Sequence, residues 1–201
     1  MPHVRSNWGP LQEPIRQLND GLQGLRDELL QDAVARNAVE LAVVTFGPVV
    51  VDAPFAPVES FFPPMLTAGG DTPMGAAILE GLRLVEERKA TYLSHGLPHY
   101  RPWIFLITDG APTDGWKTAA ARVHEHEERD KIMFFAIGVE GADFSVLRQI
   151  SVRDPLRLKG LMFKEYFKWL SDSLKAYSSS TPGKRLLLPP STGPKGWGEI
   201  I

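Results

Sequence analysis

The chain has 201 residues, enough for one domain that buries a sizeable core without help from disulfides or a structural metal. Its 22 basic and 24 acidic residues are interspersed and leave a formal net charge of −2, so electrostatics make no case for nucleic acid or an anionic membrane as partner. Cysteine is absent, which excludes disulfides and thiolate metal sites. No apolar run approaches the ~18 residues of a membrane span or forms a signal-peptide core, and the expectation is a cytoplasmic protein.

In chain order, Ile15, Leu18, Leu22, Leu25 and Leu29 recur at spacings of three and four, predicting a helix from Pro14 to about Arg36 with one apolar stripe. Val39–Phe46 and Pro48–Asp52 read as two strands hinged at Gly47-Pro48, a hairpin that gives the sheet one antiparallel edge. Residues 54 to 70, rich in proline, are expected to be a loop. Next come a helix over Met74–Leu93, whose Glu86-Glu-Arg-Lys89 run reads as a solvated face, and a linker over 94 to 102. Trp103-Ile-Phe-Leu-Ile107 is too short for a helix and apolar throughout, the pattern of a strand buried on both faces. It stops at Thr108-Asp109-Gly110, which sets a carboxylate at the carboxyl end of a central strand, the edge where open α/β sheets bind ligands. A helix over Trp116–Arg129, a strand over Ile132–Val139, a short helix over Asp143–Ile150 and an aromatic-rich helix over Phe163–Tyr177 complete the series. Residues 179–201 read as a Pro/Gly/Ser-rich tail that Leu186–Leu188 and Trp197 could tack onto the body. Alternation of strand and helix predicts an α/β fold: a doubly wound, mostly parallel sheet with helices on both faces.

Other chemistries fail on their own requirements. Gly70 to Gly75 has the glycine spacing of a phosphate loop, but Ala76-Ala77 stands where Lys and Ser/Thr are needed. His124 and His126, two residues apart, point away from a common helix face, make a poor metal clip and suggest a surface role. Ser6, Ser94 and the histidines form no nucleophile constellation.

Thr67-Ala-Gly-Gly-Asp-Thr-Pro-Met-Gly75 and Ile107-Thr-Asp-Gly-Ala-Pro-Thr-Asp114, in this order, resemble the von Willebrand factor A domain. They are most similar to its bacterial branch typified by TerY of the tellurite-resistance and stress-response systems. The resemblance extends to Glu13-Pro-Ile15, to Val39–Gly47 and to Leu158-Lys-Gly-Leu161, and so covers nearly the whole chain. It implies a domain over 1–178, a protein-binding and non-enzymatic role, and a partner system that includes a kinase or a protein phosphatase. It also implies a site for Mg²⁺ or Mn²⁺ built from hydroxyl and carboxylate oxygens on three loops. Carried over by position, Thr72 matches the family's loop threonine and Asp109 its strand-end aspartate; Asp71 and Asp114 stand at the edge of the same site.

The family's first loop, Asp-x-Ser-x-Ser after an apolar strand, has no counterpart. Arg5-Ser-Asn-Trp-Gly9 falls there, and only Ser6 and Asn7 offer side-chain oxygens. One secured carboxylate and one hydroxyl imply weak or absent metal binding, because dehydrating Mg²⁺ requires charged oxygens. The strand before the first helix is the family's central one, so the domain is expected to be N-terminally incomplete, with its true start upstream. Self-association through an unpaired sheet edge is the accompanying expectation. The residues leave two other functions open: a metal-dependent hydrolase using Asp109 and Asp114, and a degenerate relative with no active metal site.

Overall fold

The computed structural model describes residues 12–180, 188–193 and 196–200. Helix α1 (Gln12–Gln31) is shorter than the apolar stripe predicts, because Asp32 interrupts it. The Asp32 Oδ1 accepts from the N–H groups of Val34 (3.0 Å) and Ala35 (2.8 Å), satisfying the orphan donors of a new turn, α2 (Ala35–Ala38). Strand β1 (Glu40–Thr45) then pairs with β2 (Val50–Pro57) in an antiparallel hairpin. Residues 54 to 57, expected in a loop, belong to β2. Among the described residues the strand has β1 on one side only, so Pro54 and Pro57 sit at an edge where missing N–H groups are tolerated.

The predicted alternation follows in α3 (Met74–Ser94), β3 (Trp103–Thr108), α4 (Lys117–Glu128), β4 (Met133–Gly138), α5 (Phe144–Ile150) and α6 (Phe163–Ser178), and the structure adds two short strands not expected from the sequence, β5 (Leu156–Leu158) before α6 and β6 (Gly198–Ile200) in the tail. Strands β3, β4 and β5 are parallel, with Trp103 opposite Met133 and Thr108 opposite Gly138. Strand β6 adds an antiparallel edge from the tail, pairing Leu156 with Ile200. Trp197, just before β6, is 3% exposed and meets the Tyr166 ring edge-to-face at 4.8 Å.

Two apolar layers sandwich the sheet. On one face Leu25 and Leu29 of α1 pack with Phe163, Tyr166, Phe167 and Leu170 of α6, over Trp103, Phe105 and Ile107 of β3. On the other, Met74, Ile78 and Leu82 of α3 pack with Ala119 and Val123 of α4 and Leu147 and Ile150 of α5, over Ile104 and Leu106. The period-two alternation along β3 thus serves both cores, which explains its unbroken apolar sequence.

Two polar clusters stitch the second face together. Glu127, with a side chain 4% exposed, pairs with Arg101 (2.8 Å) and Arg153 and accepts from the Phe134 N–H. His126 is 2% exposed, its Nδ1 2.7 Å from the Arg122 carbonyl and its Nε2 2.7 Å from Glu86. This corrects the surface role expected for His126, and shows that Glu86 and Arg88 are not merely a solvated face: Arg88 forks onto Glu40 of β1. No helix among the described residues is long and apolar enough to cross a membrane.

Candidate functional site at the carboxyl edge of the sheet

Three loops meet where β1, β3 and β4 end. The first follows β1: Gly47 adopts φ +114, and a Cβ there would lie 2.7 Å from the Asp71 carbonyl oxygen and 2.8 Å from that of Gly69. Gly70, at φ +82, is pressed reciprocally against the Gly47 carbonyl. Only glycine permits both the backbone conformation and this approach, so the glycine loop is seated on the end of β1.

The second loop, Gly69–Pro73, is tied to the one after β3. The Thr72 N–H donates to Thr113 Oγ1 (3.1 Å) and the Thr113 N–H returns a bond to the Thr72 carbonyl (2.9 Å). This lock brings the Thr72 hydroxyl beside the strand end: a Cβ added to Gly110 would lie 3.3 Å from Thr72 Oγ1. Thr72 and Asp109 belong to loops 37 positions apart in sequence and share one small region of the edge. The third loop, after β4, backs the same place, since the Val139 N–H donates to the Thr108 carbonyl (2.8 Å) and a Cβ on Gly141 would meet the Asp109 carbonyl at 2.5 Å.

The acidic residues of this edge divide into two kinds. Asp114 is occupied: its Oδ1 accepts from the Gly75 N–H (2.9 Å) and its Oδ2 from the Ala76 N–H (2.8 Å), capping α3 from a different loop. Asp143 is likewise occupied, capping α5 through the N–H groups of Ser145 (2.9 Å) and Val146 (3.2 Å). The Ser145 side-chain hydrogen bond, then the backbone bonds, hold its carboxyl below the ordinary carboxylate range. Asp109 is exposed at the tip of β3, and among the described residues no hydrogen bond or ion pair engages its carboxylate. Asp71 is exposed and unengaged in the same sense. Ser6 and Asn7 lie outside the described residues.

Helix capping by Asp114 removes the second carboxylate of the Asp109–Asp114 pair that water activation would need. It was invisible in the sequence, because the amides it serves are 39 and 38 residues away. Among the described residues no three His, Asp or Glu side chains cluster as metal ligands, and the two donors matched by position are the Asp109 carboxylate and the Thr72 hydroxyl, with the unengaged Asp71 beside Thr72 in the chain. Mg²⁺ gives up hydration only for several well-placed, preferably anionic oxygens, so this pair does not by itself fit the ion.

The profile of the von Willebrand factor type A domain matches residues 57–165, more than half of the chain and the whole stretch from the end of β2 into α6. The chain belongs to this family, and its alternating α/β architecture with a mostly parallel sheet is that of the family. No curated protein matched it.

Proposed function

We propose that the chain is a protein-binding module whose contact edge is the meeting point of the Thr72 and Asp109 loops, and that it has no catalytic activity of its own. The observation that carries this reading is the contrast between carboxylates. Asp114 and Asp143 are consumed in capping helices, whereas Asp109 is held at a strand end on a braced backbone with its oxygens free. A fixed, unengaged acid on a rigid edge is suited to accept a basic or hydrogen-bond-donating group of a partner without reorganisation.

The surroundings support protein over small molecule. The loop that leads into Gly69–Thr72 carries Phe62 and Met65, 74% and 82% exposed, so apolar surface accompanies the polar site as in protein interfaces. Asn19 pins that loop, donating to the Leu66 carbonyl (3.0 Å) and accepting from its N–H (2.9 Å). The finer assignment rests on the resemblance of the Gly-Gly-Asp-Thr-Pro-Met-Gly and Thr-Asp-Gly-Ala-Pro-Thr-Asp stretches to TerY-like proteins. It makes this a cytoplasmic component of a bacterial stress or tellurite-resistance system, with a kinase or phosphatase of that system as partner.

A photo-crosslinking amino acid placed at Ala111, beside Asp109, tests the contact edge in the source cell. One defined adduct is expected there, abolished by Asp109→Ala, and none from the same group at Gln149 on α5. Equal adducts from both positions would overturn the assignment.

A further inference from the structure

Away from the Thr72 and Asp109 edge, α1, α6 and the tail enclose a cleft of about 910 Å³, a size within the ~300–1,000 Å³ of ligand sites. Two glycines of α1 shape it. A Cβ on Gly21 would strike the Phe167 ring at 2.1 Å, so that glycine lets α6 close onto α1. Three positions on, Gly24 borders the cleft, and a Cβ there would meet nothing within 4 Å among the described residues. Glycine weakens a helix interior. Neither a neighbouring side chain nor a positive φ asks for it at position 24, and the space it leaves opens onto the cleft.

Two indoles line the side opposite α1. The Trp169 and Trp197 rings lie 5.4 Å apart and both border the cleft. Trp169 donates its Nε1–H to the Pro189 carbonyl (2.8 Å), which holds the exposed Pro189-Pro190 pair against α6. Trp197 is 3% exposed, and among the described residues its own Nε1–H has no acceptor. A buried indole N–H normally finds one, because an unpaired donor forfeits its hydration for nothing. Charges at the rim are matched among themselves: Arg16 pairs with Asp20 (3.0 Å), and Lys168 with Asp172 (2.6 Å) and Glu28 (3.5 Å), while Lys164 and Glu165 are neighbours of opposite sign. The chemistry that fits is therefore an uncharged group that brings a hydrogen-bond acceptor and flat apolar surface.

We propose that this cleft docks an uncharged proline-rich segment of a partner protein in the extended polyproline II form, one of whose carbonyls accepts from the Trp197 Nε1–H. Such a segment has few N–H groups needing partners, presents bare carbonyls and rings, and is ordered before it binds, so aromatic-lined grooves take it at little entropic cost. The chain displays the same chemistry on itself: the Pro189 carbonyl occupies the first of two adjacent indole donors and leaves the second. This inference is independent of what the Thr72 and Asp109 edge binds.

The test is titration of the isotope-labelled full chain with acetylated, amidated decaproline, following the tryptophan indole N–H resonances by NMR. The Trp197 resonance should move saturably and downfield as its N–H gains an acceptor, while that of Trp116, in the apolar layer of α3 and α4, stays in place. Gly24→Met sets a side chain into the open space and should weaken binding by about tenfold or more, with Tm kept or raised because Met is the better helix former. Trp197→Phe keeps a ring but loses the donor and should weaken binding likewise, whereas Asp109→Ala should bind as the wild type does. An unmoved Trp197 resonance at millimolar decaproline would overturn the proposal. So would equal affinity in Gly24→Met, or an equal shift from a glycine-serine peptide of the same length. A Trp197 resonance that moves on diluting the free chain would show a second copy's tail in the cleft, and would overturn it too.

Discussion

Replacing Asp114 by alanine should destabilise the domain without touching the contact edge directly. Asp114 supplies both acceptors for the first turn of α3, at 2.9 and 2.8 Å, from a half-buried position. Loss of a capping acceptor costs about 0.5–2 kcal/mol, and loss of a negative charge at a helix amino terminus a further 0.3–1 kcal/mol or so. The expected total is about 2 kcal/mol, which for a domain of this size lowers Tm by about 4–8 °C. Asp114→Asn keeps one acceptor and should lose roughly half as much. Differential scanning calorimetry at pH 7 on the wild type and both variants gives the comparison, with Asp109→Ala as reference because its carboxylate holds nothing among the described residues. If Asp114→Ala melted with the wild type, or if Asp109→Ala melted as low as Asp114→Ala, the division of the edge into capping and free carboxylates would be wrong.

Glu127→Ala should be the more damaging change, since it leaves the buried Phe134 N–H without its acceptor and takes one carboxylate partner from Arg101, which keeps Asp130, and from Arg153; urea titration should show a loss of about 3 kcal/mol. Glu40 predicts a pH dependence. Burial pushes its carboxyl up, but hydrogen bonds from Arg88 and Tyr92 outweigh this and leave it below the ordinary 4.5. A carboxyl depressed in the folded state contributes stability above pH 4.5 that is lost as pH falls through the lower folded value. Arg88→Met should flatten the fall in Tm on acidification below pH 4.5, and an unchanged acid limb would refute it. Millimolar Mg²⁺ should move the Tm of the chain by less than about 1 °C; a larger shift, kept in Thr72→Ser and lost in Thr72→Val, would instead show a working metal site.

Much of this architecture is legible in the sequence wherever a pattern is long and local. Trp103–Ile107 announces a buried strand because both of its faces are core, and the stripe of α1 survives as Leu18, Leu22, Leu25 and Leu29. Legibility fails where partners are distant or segments short. Pro54 and Pro57 read as loop because their tolerance depends on β2 lying at an edge. Three-residue β5 and β6 carry too little periodicity to be seen and exist by pairing with each other and with β4. His126 is buried with its Nε2 held by Glu86, 40 residues away. At the edge, the resemblance of two motifs points to Thr72 and Asp109, and the structure sets the Thr72 hydroxyl beside Gly110, but Asp114 carries no local sign that its oxygens serve α3. The break at Asp32 had a signal, an aspartate two residues before an apolar turn, overridden by the continuing stripe.

The central claim is that Asp109 binds a partner and does not hold the fold. Its most direct test is the affinity of the crosslinked partner, purified, for the wild type and Asp109→Ala, measured by calorimetry alongside the two melting temperatures. Removing a charge-assisted hydrogen bond from an otherwise intact edge should weaken binding by about tenfold or more, with Tm within about 1 °C of the wild type. Equal affinity with equal Tm would contradict the account and move the binding site elsewhere on the domain.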